Sequence, residues 1–74
     1  MRQFTIVIEA AATGVDAYVP SIRECESWGH TEDEALHALL HRLAFFLSID
    51  VGFKHTIDFM RQEEGKRYYK LMLR

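Results

Sequence analysis

The chain contains one cysteine and one proline among its 74 residues, and it has no long apolar run. A single cysteine, Cys25, excludes an internal disulfide and fits a reducing compartment. No segment approaches the roughly 18 consecutive apolar residues of a membrane span. The first residues lead directly into an alternating strand pattern, which is unlike a signal peptide. We therefore expect a cytoplasmic protein that does not contact membranes.

Hydrophobic residues make up 49% of the chain, which is enough for the core of one domain covering residues 1–74. The net charge of −2 conceals an uneven distribution. Residues 9–34 are acidic and contain a single arginine, Arg23, whereas residues 61–74 are mainly basic. This asymmetry favours an oriented contact with a charged partner or with another copy of the chain.

In the first third of the chain, apolar and polar residues alternate as they do in short strands. Residues 4–9 predict one strand with Phe4, Ile6 and Ile8 on the same face. After a turn over residues 10–14, residues 15–19 predict a second strand, which Pro20 ends because it lacks a backbone donor. Residues 23–28 predict a third strand. Short connections between the three indicate an antiparallel meander.

A helix is predicted from Thr31 to about Ser48. The Thr31 hydroxyl is expected to cap it, with Glu34 reaching back to the Thr31 amide. Gly52 is expected to adopt a left-handed conformation just beyond the helix. Apolar residues at helical spacing predict the face that lies on the sheet; they are Leu36, Leu39, Leu40, Leu43, Phe46 and Leu47.

The C-terminal third predicts a strand over residues 68–73. Residues 56–61 suit either its hairpin partner, turning at Glu64-Gly65, or a short helix, and we favour the hairpin. The expected fold is α+β, with element order β-β-β-α-β(-β) and one helix packed on one face of an antiparallel sheet. Because the other face has no cover, we expect a homo-oligomer, either a dimer or a tetramer.

Several residues between strand and helix carry a family resemblance. They are Gly14, Tyr18-Val19-Pro20, Ile22, Cys25, Gly29, Thr31, Glu34 and Ala35. This spacing resembles the N-terminal domain of HicB-type antitoxins over residues 3 to about 49. Arg23 and Glu24 replace the Pro-Gly that the family usually has before its cysteine. That replacement bears on the tight turn before Cys25 and not on the fold.

The resemblance implies a half-ribonuclease-H-like sheet without catalytic carboxylates. It also implies an interaction module that binds and masks a small, basic, RNA-cleaving toxin of the HicA type, or an orphan relative of such antitoxins. In complete antitoxins a C-terminal domain binds DNA, and we expect none here. Gly14, Pro20, Cys25, Gly29, Thr31, Glu34 and Ala35 are then structural signature residues rather than reactive groups.

We expect no enzymatic activity, no catalytic residue, no cofactor and no metal site. His37 and His41 have the one-turn spacing of zinc-binding helices, but Ala38 stands where a metalloprotease has its glutamate. A metal-dependent nuclease would require Glu9, Asp16 and Asp58 to converge, which no pattern demands.

The alternative function is direct nucleic-acid binding by the C-terminal strand, where basic residues alternate with Tyr68 and Tyr69. The residues we expect at a partner or oligomer interface are Trp28, His37, His41, Phe45, Tyr68 and Tyr69.

Overall fold

The computed structural model describes residues 2–74 and has an α+β fold with a five-stranded antiparallel sheet and one helix. The elements are β1 (Gln3–Ala10), β2 (Val15–Tyr18), β3 (Glu26–Gly29), α1 (Glu32–Leu47), β4 (His55–Glu63) and β5 (Lys66–Leu73). The strands are ordered β3-β2-β1-β5-β4, so β1 is central. This confirms the predicted element order and the single helix.

The core lies between α1 and one face of the sheet. Ile6 and Ile8 of β1 point into it, and Phe4 packs at its margin, as the alternation predicted. Leu39 and Leu43 of α1 are fully buried against this face. The helix lies nearest to β3 and β2, and the Ser27 hydroxyl donates a 2.8 Å hydrogen bond to the Ala35 carbonyl.

The apolar face of α1 differs from the prediction at three positions. Phe46 was expected in the core but is 40% exposed, whereas Ala35 and Ala44 are buried. The small side chains of Ala35 and Ala44 allow α1 to lie close to the sheet. Because a single helix covers little more than two or three strands, Phe46 lies at the edge of the covered area.

The start of α1 is capped by Thr31, whose hydroxyl accepts a 3.2 Å hydrogen bond from the Glu34 amide. The second capping bond differs from the prediction. The Glu34 carboxylate was expected to accept from the Thr31 amide, but it accepts from the His30 amide at 3.2 Å. Three acidic residues occupy the first turn, where the helix dipole favours negative charge.

The end of α1 contradicts one expectation. Ser48, and not Gly52, adopts the left-handed conformation, with φ of 57°. The Ser48 and Ile49 amides then donate to carbonyls of the last turn. Gly52 instead donates its amide to the Asp50 side chain at 3.1 Å, in a local turn.

The third strand begins at Glu26 rather than at Arg23, since the residues before it form a tight turn. The Cys25 amide donates to the Ile22 carbonyl at 3.2 Å, and Glu24 has φ of 65°. A glycine adopts this conformation without strain. The turn forms with Glu24 in this position, and it buries Cys25.

Two signature glycines allow close approach of other groups. A Cβ at Gly14 would collide with the Trp28 ring and the Gly29 carbonyl. A Cβ at Gly29 would collide with the backbone of Glu34 and Ala35 at the start of α1. The absence of a side chain at these two positions therefore lets the first hairpin, β3 and the start of α1 approach one another closely.

The C-terminal hairpin settles the choice between strand and helix in favour of the strand. β4 and β5 are antiparallel and turn at Glu64 and Gly65, whose φ values of 50° and 77° fit a primed hairpin turn. The register shifts between Phe59 and Arg61, so Met60 is an extra residue in a bulge. β4 is an edge strand of the sheet.

Candidate interaction face

The face of the sheet opposite α1 is covered by no other element among residues 2–74. We call it the open face. Strand register and alternation define its side chains; they are Glu26 and Trp28 of β3, Asp16 and Tyr18 of β2, Gln3, Thr5, Val7 and Glu9 of β1, Lys66, Tyr68, Lys70 and Met72 of β5, and Thr56, Asp58, Arg61 and Glu63 of β4.

One row of the open face crosses all five strands. In register order it reads Glu26, Tyr18, Val7, Tyr68 and Arg61. We call it the central row. Val7 is only 2% exposed although no layer lies above it, because tyrosines flank it on both sides. The row thus has an apolar centre, aromatic flanks and opposite charges at its two ends.

The β3–β2–β1 side of the open face is acidic. Glu9, Asp16 and Glu26 surround a cleft of about 460 Å³, together with Tyr18 and Trp28. We call this the acidic cleft. Carboxylates beside an aromatic face suit the side chain of an arginine or lysine, through charge-assisted hydrogen bonds and cation–π contact.

Trp28 is held in place although 43% of its surface is exposed. Its ring lies against Gly14, where any Cβ would collide with it. The His30 ring also contacts it edge-on, with the two centroids 4.7 Å apart. A fixed aromatic wall loses little conformational entropy when it meets a partner.

The β5–β4 side of the open face carries three basic residues, and two of them form ion pairs with acidic side chains. Arg61 lies 4.1 Å above the centroid of the Tyr68 ring and 3.0 Å from the Glu63 carboxylate. Lys66 lies 3.9 Å from Glu9 of the acidic cleft. Lys70 pairs in register with Thr5 and with Asp58.

Tyr69, an expected interface residue, lies on the helix side of the sheet instead of on the open face. Its hydroxyl donates to the Glu32 carboxylate at 3.2 Å, and Arg67 lies 2.7 Å from the other oxygen of that carboxylate. Burial, then the negative charge of Glu32 and this hydrogen bond, raise the pKa of Tyr69. The three side chains connect the start of α1 to β5, which indicates a structural role.

His37, His41 and Phe45 form a separate surface along α1. The two imidazole centroids lie 4.6 Å apart, and Phe45 is 78% exposed. With Glu26 and Arg42 they line a shallow groove of about 550 Å³ beside β3. Across residues 2–74, no three His, Cys, Asp or Glu side chains are grouped so that they could hold a metal ion.

The remaining candidate reactive groups do not form a catalytic arrangement. Glu9 and Asp16 are register partners across the first hairpin, whereas Asp58 lies on β4 beyond β5. Cys25 is buried, and burial raises the pKa of its thiol while Arg42 lowers it less. A raised pKa leaves less of the reactive thiolate.

The structure therefore divides the six expected interface residues among three places. Trp28 and Tyr68 lie on the open face, His37, His41 and Phe45 lie along α1, and Tyr69 lies on the helix side of the sheet. Val7 was not expected on this face. Only the strand order shows that it lies between two tyrosines.

No protein-family model, no curated protein and no solved structure matches this chain.

No helix within residues 2–74 is long and apolar enough to cross a membrane.

Proposed function

We propose that this chain is a HicB-like interaction module that binds a small basic protein through the acidic cleft. One observation carries the proposal: three carboxylates and a fixed tryptophan line a cleft on an uncovered sheet face. By the resemblance of residues 3–49, the partner would be an RNA-cleaving toxin of the HicA type, masked in the cytoplasm. The same resemblance leads us to propose a half-ribonuclease-H-like fold and a role in binding rather than catalysis.

Electrostatics supports a basic partner over a neutral one. A protein that binds RNA needs a basic surface, and an acidic face competes for that surface. Charged clefts also steer association and make its rate depend on salt. The acidic cleft contains no basic residue except at its margin, where Lys66 approaches Glu9.

The test is to co-express this chain with the product of the adjacent reading frame, where that frame encodes a small basic protein. We expect the two to co-purify and the complex to weaken as salt concentration rises. Asp16→Asn and Glu26→Gln should each weaken binding about tenfold, because each removes a charge that contacts the basic partner. Glu64→Gln is the matched control, since Glu64 lies in the β4–β5 turn. A complex unaffected by both cleft substitutions would refute the proposal, as would the absence of any basic neighbour that binds.

The second candidate is direct binding of single-stranded nucleic acid by β5. The observation in its favour is the run Lys66, Tyr68 and Lys70 on the open face, which combines cations with an aromatic ring. Against it, Lys66 and Arg61 lie close to acidic side chains of the same chain. Binding of labelled single-stranded RNA at low salt, lost in Lys70→Gln, would favour this candidate.

A further inference from the structure

We propose that the open face is also the surface on which a second copy of this chain docks, face to face, about a two-fold axis that passes over Val7 parallel to β1. The two halves of the central row have tyrosines at matching positions and opposite charges at their ends, independently of the antitoxin resemblance.

The central row is symmetric in shape about its midpoint. Val7 lies on the central strand β1, and Tyr18 and Tyr68 are its register partners on the two neighbouring strands. A two-fold axis over Val7 and parallel to β1 places β2 of one copy opposite β5 of the other. Each Tyr18 then faces a Tyr68 that carries the Arg61 guanidinium over its ring. The two buried Val7 residues lie on opposite sides of the axis.

The same rotation brings opposite charges together at the ends of the row. Glu26 on β3 faces Arg61 on β4 of the second copy, and this pair occurs twice in the dimer. One row along, Asp16 on β2 faces Lys66 on β5, and this pair also occurs twice. An interface of this symmetry must be complementary to itself, which this distribution of charge satisfies.

One like-charged pair approaches the axis, and its repulsion is reduced within each copy. Glu9 lies on β1 beside the axis, but Lys66 of the same chain is 3.9 Å from its carboxylate. Facing sheets lie about 10 Å apart with their strands rotated by about 30°, which inclines the axis by about 15° to β1. The pairs near Val7 therefore face each other most directly, which is where the two tyrosines and the buried valine lie.

An axis perpendicular to the strands does not give this complementarity. It would place each strand opposite itself, so that acidic β2 and β3 would face acidic β2 and β3. The charges therefore select both the face and the direction of the axis. Docking in this way would cover the acidic cleft, so the second copy and a basic partner would compete for it.

The test is a charge exchange read by sedimentation velocity over micromolar to hundred-micromolar protein at low salt. We expect the wild type to dimerise, and Glu26→Arg and Arg61→Glu each to raise the dimer dissociation constant at least about tenfold. Each variant alone creates two like-charged pairs in its dimer. In a one-to-one mixture of the two variants, the arginine introduced at position 26 faces the glutamate introduced at position 61. The second pair in that heterodimer is the native Glu26 and Arg61, so the mixture should form heterodimers.

Lys54→Glu is the matched control for charge reversal, because Lys54 is exposed and precedes β4. Circular dichroism would verify that each variant is folded. If either variant fails to fold, Asp16→Lys and Lys66→Glu provide an equivalent charge exchange at the second predicted pair. The proposal is overturned if the wild type stays monomeric, if the single variants dimerise normally, or if the mixture does not associate.

The same variants separate this proposal from the proposed function. Arg61→Glu should weaken dimerisation while leaving the acidic cleft intact, so an oligoarginine peptide should still bind the cleft. Glu26→Arg should weaken both. If both variants lose dimerisation and both still bind the peptide, the result supports the dimer and refutes a cation-binding cleft.

Discussion

The two faces of the sheet share their strands but differ in how their apolar residues are buried. On the helix side, Leu39, Leu43 and Leu71 have no exposed surface because α1 lies over the sheet. On the open face, Val7 is buried by tyrosines of the adjacent strands. A helix buries what lies beneath it, whereas neighbouring side chains bury only what lies between them. The open face therefore keeps charges and aromatic rings available for a partner.

The largest expected effect contrasts these two kinds of burial. Leu39→Ala should lower the free energy of unfolding by about 2–5 kcal/mol, because it leaves a cavity beneath α1. Val7→Ala should cost about 1–2 kcal/mol at low protein concentration, because its two tyrosine neighbours can move into the space. Urea denaturation measures both. Equal costs in dilute solution would show that the two faces bury their residues equally well.

A smaller effect concerns the turn that brings β3 to the sheet. Glu24 has φ of 65°, a conformation that costs an L-residue about 1 kcal/mol relative to glycine. Glu24→Gly should therefore raise the free energy of unfolding by up to that amount, although glycine also loses more entropy on folding. Glu24→Ala, which keeps the strain and removes only the charge, should not raise it. If Glu24→Ala stabilised the fold and Glu24→Gly did not, the effect would come from removing the charge of Glu24 and not from relieving backbone strain.

The smallest effect distinguishes two adjacent tyrosines on opposite faces. The pKa of Tyr69 is raised, so its hydroxyl stabilises the fold below the ordinary tyrosine pKa of about 10 and this stabilisation is lost as the pH rises through the raised value. Tyr69→Phe should therefore lower stability at pH 8 and change it less at pH 11.

Tyr68→Phe is the matched control for that measurement, because Tyr68 lies on the open face beneath Arg61. Comparing urea unfolding of the two variants at both pH values isolates the pH-dependent contribution of the Tyr69 hydroxyl, which combines its burial, the charge of Glu32 and its hydrogen bond to Glu32. The same pH dependence in both variants would place the effect elsewhere.

Local patterns predicted most of the elements. Alternation over residues 4–9, the Thr31 cap and the turn at Glu64-Gly65 all lead to the observed structure, since each depends on residues close in the chain. The errors fall where nearby residues leave a choice. Ser48 takes the left-handed position expected of Gly52, and Phe46 lies outside the core because of where α1 crosses the sheet.

The candidate site was harder to predict than the fold. Trp28 and Tyr68 were expected at an interface, but their neighbours could not be read from the chain. Tyr68 and Tyr69 were grouped together, and strand alternation separates them onto opposite faces. The basic residues near the C-terminus are divided in the same way, so they do not form one continuous patch.

The sequence by itself determined β1, β2 and most of β5, the helix, its N-terminal cap and the acidic character of the first half. The tertiary structure alone decided that β5 lies beside β1, and with it the central row from Glu26 to Arg61. The physical reason is range. Capping bonds, turns and periodicity depend on residues a few positions apart, whereas the row joins Glu26 to Arg61, 35 positions away, through the register of five strands.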